Sequence, residues 1–301
     1  MKSMKEDVLP NIGQVTTETI DGLKIRLARG GRSRGIPVLF TSPWPESIYA
    51  FHRVLPYFVK AHPVIAIDLP GFGLSESRPA VMSPRSMGAF LIKVAAHLKL
   101  DRLHGVGPDV GALAFLFAAA DRPGLFESLA VGGAATRVDL AGGQLRDLID
   151  SPRGAFAAID GAVAIADFLK QASQITPAAI IADYRQASAG RRFEDAAEYV
   201  RAYKQDLPLL ESRLSQIQTA VLVIAGNNDP LVPSANSQFL ADRLPHNRLS
   251  LLEAAHRVWE EATDEYSRQL VSWVGGGYRA AQRRGGWRFS FRSLLTGSKR
   301  G

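Results

Sequence analysis

From Leu103 to Ala120 the chain runs as a short apolar strand, Leu103–Val106, then Gly107-Pro108-Asp109-Val110-Gly111, then a helix-like apolar stretch to Ala120. A strand that turns directly into a buried helix through Gly-x-Asp-x-Gly leaves few architectures open. The turn crowds the backbone of its central residue against its neighbours, so the flanking positions have no room for a Cβ and glycine fits both. It lifts one side chain, here Asp109, above the sheet, and it leaves the next N–H, that of Val110, facing the same spot. Taken alone, the pentapeptide also suits a plain turn with aspartate as the helix cap. The rest of the chain separates the two readings.

Apolar, β-branched segments recur in a regular order. Val38–Phe40 runs into Thr41-Ser42-Pro43-Trp44-Pro45, and Val64–Ile67 runs into Asp68-Leu69-Pro70-Gly71-Phe72-Gly73. Met87 to Leu98 has helical spacing, with Phe90, Leu91, Val94 and Leu98 on one face. After the elbow come a strand at Ser128–Val131, then strand Ala220–Ala225, helix Ser234–Leu244, strand Arg248–Leu252 and helix Val258–Val274. Strands alternating with helices at this spacing predict an α/β fold whose sheet is mainly parallel and flanked by helices on both faces. The rhythm stops between about Thr136 and Leu214, where helical patterns appear without a convincing strand. The expected organisation is therefore one α/β core, residues 1–135 and 215–274, with a helical cap at 136–214 and a basic, disorder-prone tail at 275–301.

Two further residues turn the elbow into a constellation. Asp229, in Gly226-Asn227-Asn228-Asp229-Pro230, lies just past one strand, and His256, in Glu253-Ala254-Ala255-His256-Arg257, just past the next. Open α/β sheets place ligand sites at the carboxyl ends of their strands. Nucleophile, acid and base in that chain order are what a hydrolase with an elbow requires. His52, His62, His97, His104 and His246 have no such placement and read as surface or packing residues.

With these three residues and the segment Asp68 to Ser75, the chain resembles the epoxide hydrolase and haloalkane dehalogenase branch of the α/β-hydrolase superfamily over roughly residues 20–274. The resemblance implies an eight-stranded sheet with the cap inserted after strand 6, and a cofactor-independent reaction. Asp109 would attack an sp³ carbon to give an alkyl ester. His256, oriented by Asp229, would activate the water that hydrolyses it. The main-chain N–H groups of Trp44 and Val110 would form the oxyanion hole. The usual His-Gly-x-Pro loop of that branch is here Ser42-Pro43-Trp44-Pro45, and Pro43 restricts Ser42 to an extended conformation. Val110 offers no side-chain donor for a departing halide, which turns the expectation from haloalkanes towards epoxides. Tyr184, Tyr199 and Tyr203 are the candidate cap donors to an epoxide oxygen, and Phe156 stands where a first tyrosine would be expected. The alternatives are a haloalkane or haloacid dehalogenase, or a non-catalytic ligand binder on the same fold. Glu46, beside the oxyanion loop, is expected to be a solvated surface acid.

Composition narrows the rest. The 46% hydrophobic and 22% charged shares are those of a globular protein, and the absence of cysteine removes thiol nucleophiles, thiolate metal sites and disulfides. No metal-ligand spacing is visible, and Gly71-Phe72-Gly73 lacks the third glycine of a dinucleotide loop. The net charge of +7 invites a nucleic-acid reading, but Arg279, Arg283, Arg284, Arg288, Arg292, Lys299 and Arg300 account for all of it. The preceding residues balance, so no nucleic-acid partner is expected. The tail, with Trp287, Phe289 and Phe291 among its cations, is a candidate for contact with anionic lipid or a protein partner. A small apolar substrate and a cytoplasmic location are the remaining expectations, the latter because no apolar signal segment follows the first lysines. The oligomeric state is left open.

Overall fold

The computed structural model describes residues 14–284. Its centre is one eight-stranded sheet in the order β1-β2-β4-β3-β5-β6-β7-β8. The strands are β1 (Val15–Ile20), β2 (Leu23–Gly31), β3 (Val38–Thr41), β4 (Pro63–Ile67), β5 (Leu103–Pro108), β6 (Phe126–Gly132), β7 (Ala220–Gly226) and β8 (Asn247–Leu252). β1 and β2 pair antiparallel, as do β2 and β4, and every other pairing is parallel. The inner strands β3, β5 and β7 are buried at every residue. Helices cover both their faces, so they read as continuous apolar runs without alternation.

Helix α1 (Pro84–His97) starts at Ser83, whose hydroxyl accepts the N–H of Ser86, and buries Met87, Phe90, Leu91 and Val94. It crosses α2 (Val110–Asp121), of which Val110 to Ala119 are all buried. Such a helix is apolar all round because protein surrounds it. The two helices approach so closely at Gly88 that a Cβ there would lie 2.6 Å from Phe117 Cβ.

Between β6 and β7 the described chain is helical. It forms α3 (Gly143–Asp150), α4 (Gly161–Ala164), α5 (Ala166–Ala172), α6 (Ala178–Ser188), α7 (Arg192–Arg201) and α8 (Tyr203–Glu211). A buried ion cluster ties this segment to the sheet. The Arg26 guanidinium of β2 bonds to Asp68, which follows β4, and donates to both oxygens of Asp183 on α6 at 2.6 and 2.9 Å. The same Asp68 accepts the N–H groups of Ile48 and Leu74 at 2.8 and 2.9 Å. Arg192 of α7 adds bonds to the carbonyls of Gly73 and Ser75.

The fold ends with α9 (Ala235–Arg243), α10 (Val258–Glu261), α11 (Thr263–Ser272) and α12 (Tyr278–Arg284). The predicted helix from Val258 to Val274 is thus two helices broken at Ala262. The first part of the expected tail is also different: α12 packs on the sheet, with Tyr278 and Ala281 buried and the Tyr278 hydroxyl bonded to Glu127. The apolar Tyr278 and Ala281, one helical turn apart among the arginines, were the available signal, and the net charge of the segment masked it. Residues 285–301, which carry the proposed lipid or partner contact, lie outside the described residues. Among the described residues no helix is long and apolar enough to cross a membrane, and no group of three His, Asp or Glu could hold a metal ion.

Candidate active site

Asp109 sits between β5 and α2 with φ +53° and ψ −126°, a conformation that L residues rarely adopt. Holding a non-glycine residue there costs on the order of 1–3 kcal/mol, which the packing on either side must offset. That packing is tight. A Cβ at Gly107 would lie 2.4 Å from the Phe115 ring, and one at Gly111 would lie 2.0 Å from Thr41 Oγ1. The Asp109 N–H is itself anchored on the Gly132 carbonyl of β6 at 2.8 Å. Both glycines therefore serve close approach, while the strained φ falls on the residue whose side chain is displayed.

The displayed carboxylate accepts the Trp44 N–H at Oδ2, 2.7 Å, and also the Val110 N–H. These are the two donors the sequence suggested for an oxyanion hole. Replacing His-Gly by Ser42-Pro43 has not turned the Trp44 amide away. The Ser42 N–H is held by the Ile67 carbonyl at 2.9 Å, and the loop passes on through a cis Trp44-Pro45 bond.

His256 follows β8 and stands with Nε2 3.9 Å from Asp109 Oδ1. Its Nδ1 is 2.7 Å from Asp229 Oδ2. The other oxygen of Asp229 accepts the N–H groups of Leu231 and Val232 at 2.8 and 2.9 Å, so the carboxylate has no freedom to rotate. Trp259 presses edge-to-face on the imidazole, ring centroids 6.0 Å apart. Burial disfavours the imidazolium, but the bond and charge of Asp229 and the charge of Asp109 outweigh it, raising the His256 pKa above its ordinary value. Burial also raises the Asp109 carboxyl, opposed by His256 and by the two N–H donors.

A cavity of about 530 Å³ opens over these groups. Its walls are mostly apolar, including Leu145, Leu148, Phe168, Phe193, Val200 and Trp259. Trp44 stacks on Phe193 of α7 at 5.0 Å, and Phe193 meets Phe156 edge-on at 5.1 Å, so one wall joins the sheet loop to the inserted helices.

The three candidate tyrosines separate clearly. Tyr203, at the start of α8, lines the cavity, and the charge of Asp109 contributes to its raised pKa behind the larger effect of burial. The Tyr199 hydroxyl is spent on the Val110 carbonyl at 2.6 Å, with its ring against Phe72 and Tyr203. The Tyr184 hydroxyl donates to Glu260 Oε1 at 3.2 Å, away from the cavity. Neither of these two is therefore available to a ligand as the sequence reading allowed.

Glu46 departs from expectation more sharply. It is only 1% exposed, lies on the cavity wall and accepts the Trp259 indole N–H at 2.8 Å. Its partner lies 213 residues away, so no local pattern could have marked it as buried. Arg257 and Glu260, equally unremarked in the sequence, complete this cluster beside His256. Of the other histidines, His104 is buried, bonded to Ser128 Oγ at 2.8 Å and lowered by burial to about 4, a packing residue. His97 meets the half-buried Glu18 and His246 the exposed Gln218.

The alpha/beta hydrolase fold family model matches residues 36–263. A 3-oxoadipate enol-lactonase from Acinetobacter baylyi is 24% identical, covering 80% of this chain and 89% of the lactonase. A soluble epoxide hydrolase from a Corynebacterium species is 30% identical over 110 residues, 36% of this chain and 38% of that protein. The solved epoxide hydrolase CorEH superposes with a TM-score of 0.74 at 18% identity, covering 87% of this chain and 98% of that one. By the match over most of its length, by the eight-stranded sheet and by the elbow at its centre, this chain belongs to the alpha/beta hydrolase fold family.

Proposed function

We propose that this protein is a cofactor-independent hydrolase that opens a neutral epoxide through a covalent ester on Asp109. The observation that carries the reading is the elbow carboxylate itself, gripped by two main-chain N–H groups with the His256–Asp229 pair beside it. A serine esterase would need a hydroxyl at that position, and none is present. The stretch of similarity to the Corynebacterium epoxide hydrolase and the apolar cavity support the same direction.

The chemistry follows from the contacts. Asp109 Oδ1, the oxygen nearer His256 and not the one held by Trp44, attacks a ring carbon, and the carbon–oxygen bond of the epoxide breaks. Tyr203 donates a proton or a hydrogen bond to the departing oxygen, whose developing charge has no other phenol on the cavity wall. His256 Nε2 then takes a proton from water, and the hydroxide adds to the Asp109 carboxyl carbon. The negative charge gathers on Oδ2, which already accepts the Trp44 N–H and has the Val110 amide beside its carboxylate, and preorganised donors of this kind are worth about 10²–10³ in rate. Collapse releases the diol, returns the protons, and leaves one oxygen of water in Asp109.

Asp109 and His256 make separable predictions. Incubated with a neutral epoxide such as styrene oxide, His256→Ala should gain the mass of one substrate on the peptide containing Asp109, because attack survives while ester hydrolysis stalls. Asp109→Ala should gain nothing. An absence of turnover by the wild-type protein across a panel of epoxides would contradict the proposal. Halide release from haloalkanes would favour a dehalogenase instead, and ligand-induced stabilisation with no turnover of either class would favour a binder.

A further inference from the structure

Among the described residues lining the cavity, Arg257 is the only lysine or arginine, while Glu46, Asp109 and Glu261 are acids. A lone guanidinium beside a catalytic histidine would ordinarily invite a ligand carboxylate. Here that role is already filled from inside the protein. Arg257 Nη1 is 2.6 Å from Glu260 Oε2 and 3.9 Å from Glu46 Oε1, and Nε is 3.9 Å from Glu261 Oε1. The face of the guanidinium lies over Phe168 of α5, 5.3 Å from the ring centre.

Glu260 is fixed in this role. Its other oxygen accepts the hydroxyls of Thr176 and Tyr184, both at 3.2 Å, and its side chain is 2% exposed. A ligand carboxylate could reach Arg257 only by displacing a buried carboxylate that has two further hydrogen bonds, and exposing that group unpaired is unfavourable. Glu46 adds no second anion. Burial, then the nearby Glu260, push its carboxyl upward, which disfavours its charged form, and it lies farther from the guanidinium than Glu260 does. The guanidinium is thus matched by a carboxylate of the protein before any ligand arrives, at 2.6 Å.

We propose that Glu260 is a specificity-determining residue: by holding Arg257 it commits the cavity to uncharged ligands, and Arg257 is a latent carboxylate-binding group. This rests on the cavity being the ligand site of the proposed hydrolase, and it narrows the substrate class to neutral apolar electrophiles, excluding haloacids. The discrimination works by an unfavourable encounter rather than by an added contact.

The test uses binding rather than turnover. Calorimetry with the full chain would compare two probes of nearly the same shape, phenylacetamide and phenylacetate. Wild type should bind the amide at least about ten-fold more tightly. Glu260→Gln keeps an oxygen for Thr176 and Tyr184 but frees the guanidinium, so it should gain at least about five-fold for phenylacetate, with the amide changed less than about two-fold. Arg257→Gln in the otherwise native protein should leave the wild-type preference in place, and the double variant should lose the gain. Should Glu260→Gln fail to fold, the single Arg257→Gln variant still decides, because loss of phenylacetate binding there would mean the guanidinium already serves ligands. Equal binding of both probes by wild type, an unchanged ratio in Glu260→Gln, or no binding of either probe would overturn the proposal. Failed epoxide chemistry would leave this binding ratio standing, and a failed ratio would leave labelling of Asp109 standing.

Discussion

Replacing Asp229 by asparagine exchanges one oxygen for an amide nitrogen and should separate the two chemical steps. Oδ1 holds the N–H groups of Leu231 and Val232, a task the amide oxygen of asparagine can retain. The amide nitrogen then faces His256 Nδ1 at the present 2.7 Å contact, and it can only donate. Nδ1 must become the acceptor, which moves the ring proton to Nε2, the atom that has to accept a proton from water. The electrostatic loss acts in the same direction. A unit charge about 4 Å away in an effective dielectric of about 20 contributes roughly 4 kcal/mol. Losing it lowers the His256 pKa and weakens the base. Together these should slow ester hydrolysis by about 10²–10⁴-fold, while attack by Asp109 continues. Rapid-quench mass spectrometry should therefore show a stoichiometric burst of adduct followed by slow decay. Turnover within about two-fold of wild type, or equal slowing of both steps without adduct, would refute the reasoning.

Tyr203→Phe should reduce epoxide opening by about 10²–10³-fold with little change in stability, whereas Tyr199→Phe, which removes only a bond to the Val110 carbonyl, should show mainly as a lower Tm; steady-state kinetics and melting curves distinguish them. Ester hydrolysis needs neutral His256, so its rate should fall on the acid side as the imidazole is protonated, and because Asp229 still raises the His256 pKa in the ester, Asp229→Asn should move that fall to lower pH. The same raised pKa stabilises the fold fully below the unfolded value, and this contribution is lost as pH rises through the folded value, so Asp229→Asn should cost more stability at pH 5 than at pH 9. Arg26→Met leaves Asp68 and Asp183 buried without their shared cation and should destabilise by about 3–5 kcal/mol in urea unfolding. Gly111→Ala places a Cβ against Thr41 Oγ1 and should cost about 1–3 kcal/mol.

The parts of this fold that could be read from the sequence are those whose signal is local. Asp109, Asp229 and His256 each follow an apolar strand directly, so their convergence at one edge of the sheet follows from the βα order. The first two strands gave no such signal. β1 is an edge strand of mostly exposed Thr and Glu, and only the Asp21-Gly22 turn, with φ of +50° and +78°, marks the hairpin. Tyr199 and Tyr203 are four residues apart, a spacing that would put them on one face of a continuous helix. They instead belong to α7 and α8, which meet at Ala202, and their hydroxyls have different surroundings. Glu46 and Trp259, or Arg257 and Phe168, meet only because of tertiary packing. Glu46 was read as a surface acid from its type, and its burial against Trp259 on the cavity wall follows from packing between segments far apart in the chain.

The central claim is that Asp109 is consumed and regenerated in every cycle, and isotope exchange tests it most directly. After many turnovers of an epoxide in water enriched in ¹⁸O, the peptide containing Asp109 should carry the label, because the oxygen that hydrolyses the ester stays on the aspartate. Protein that turns over the same substrate yet returns an unlabelled Asp109 would contradict the covalent mechanism, and with it the role assigned to the elbow.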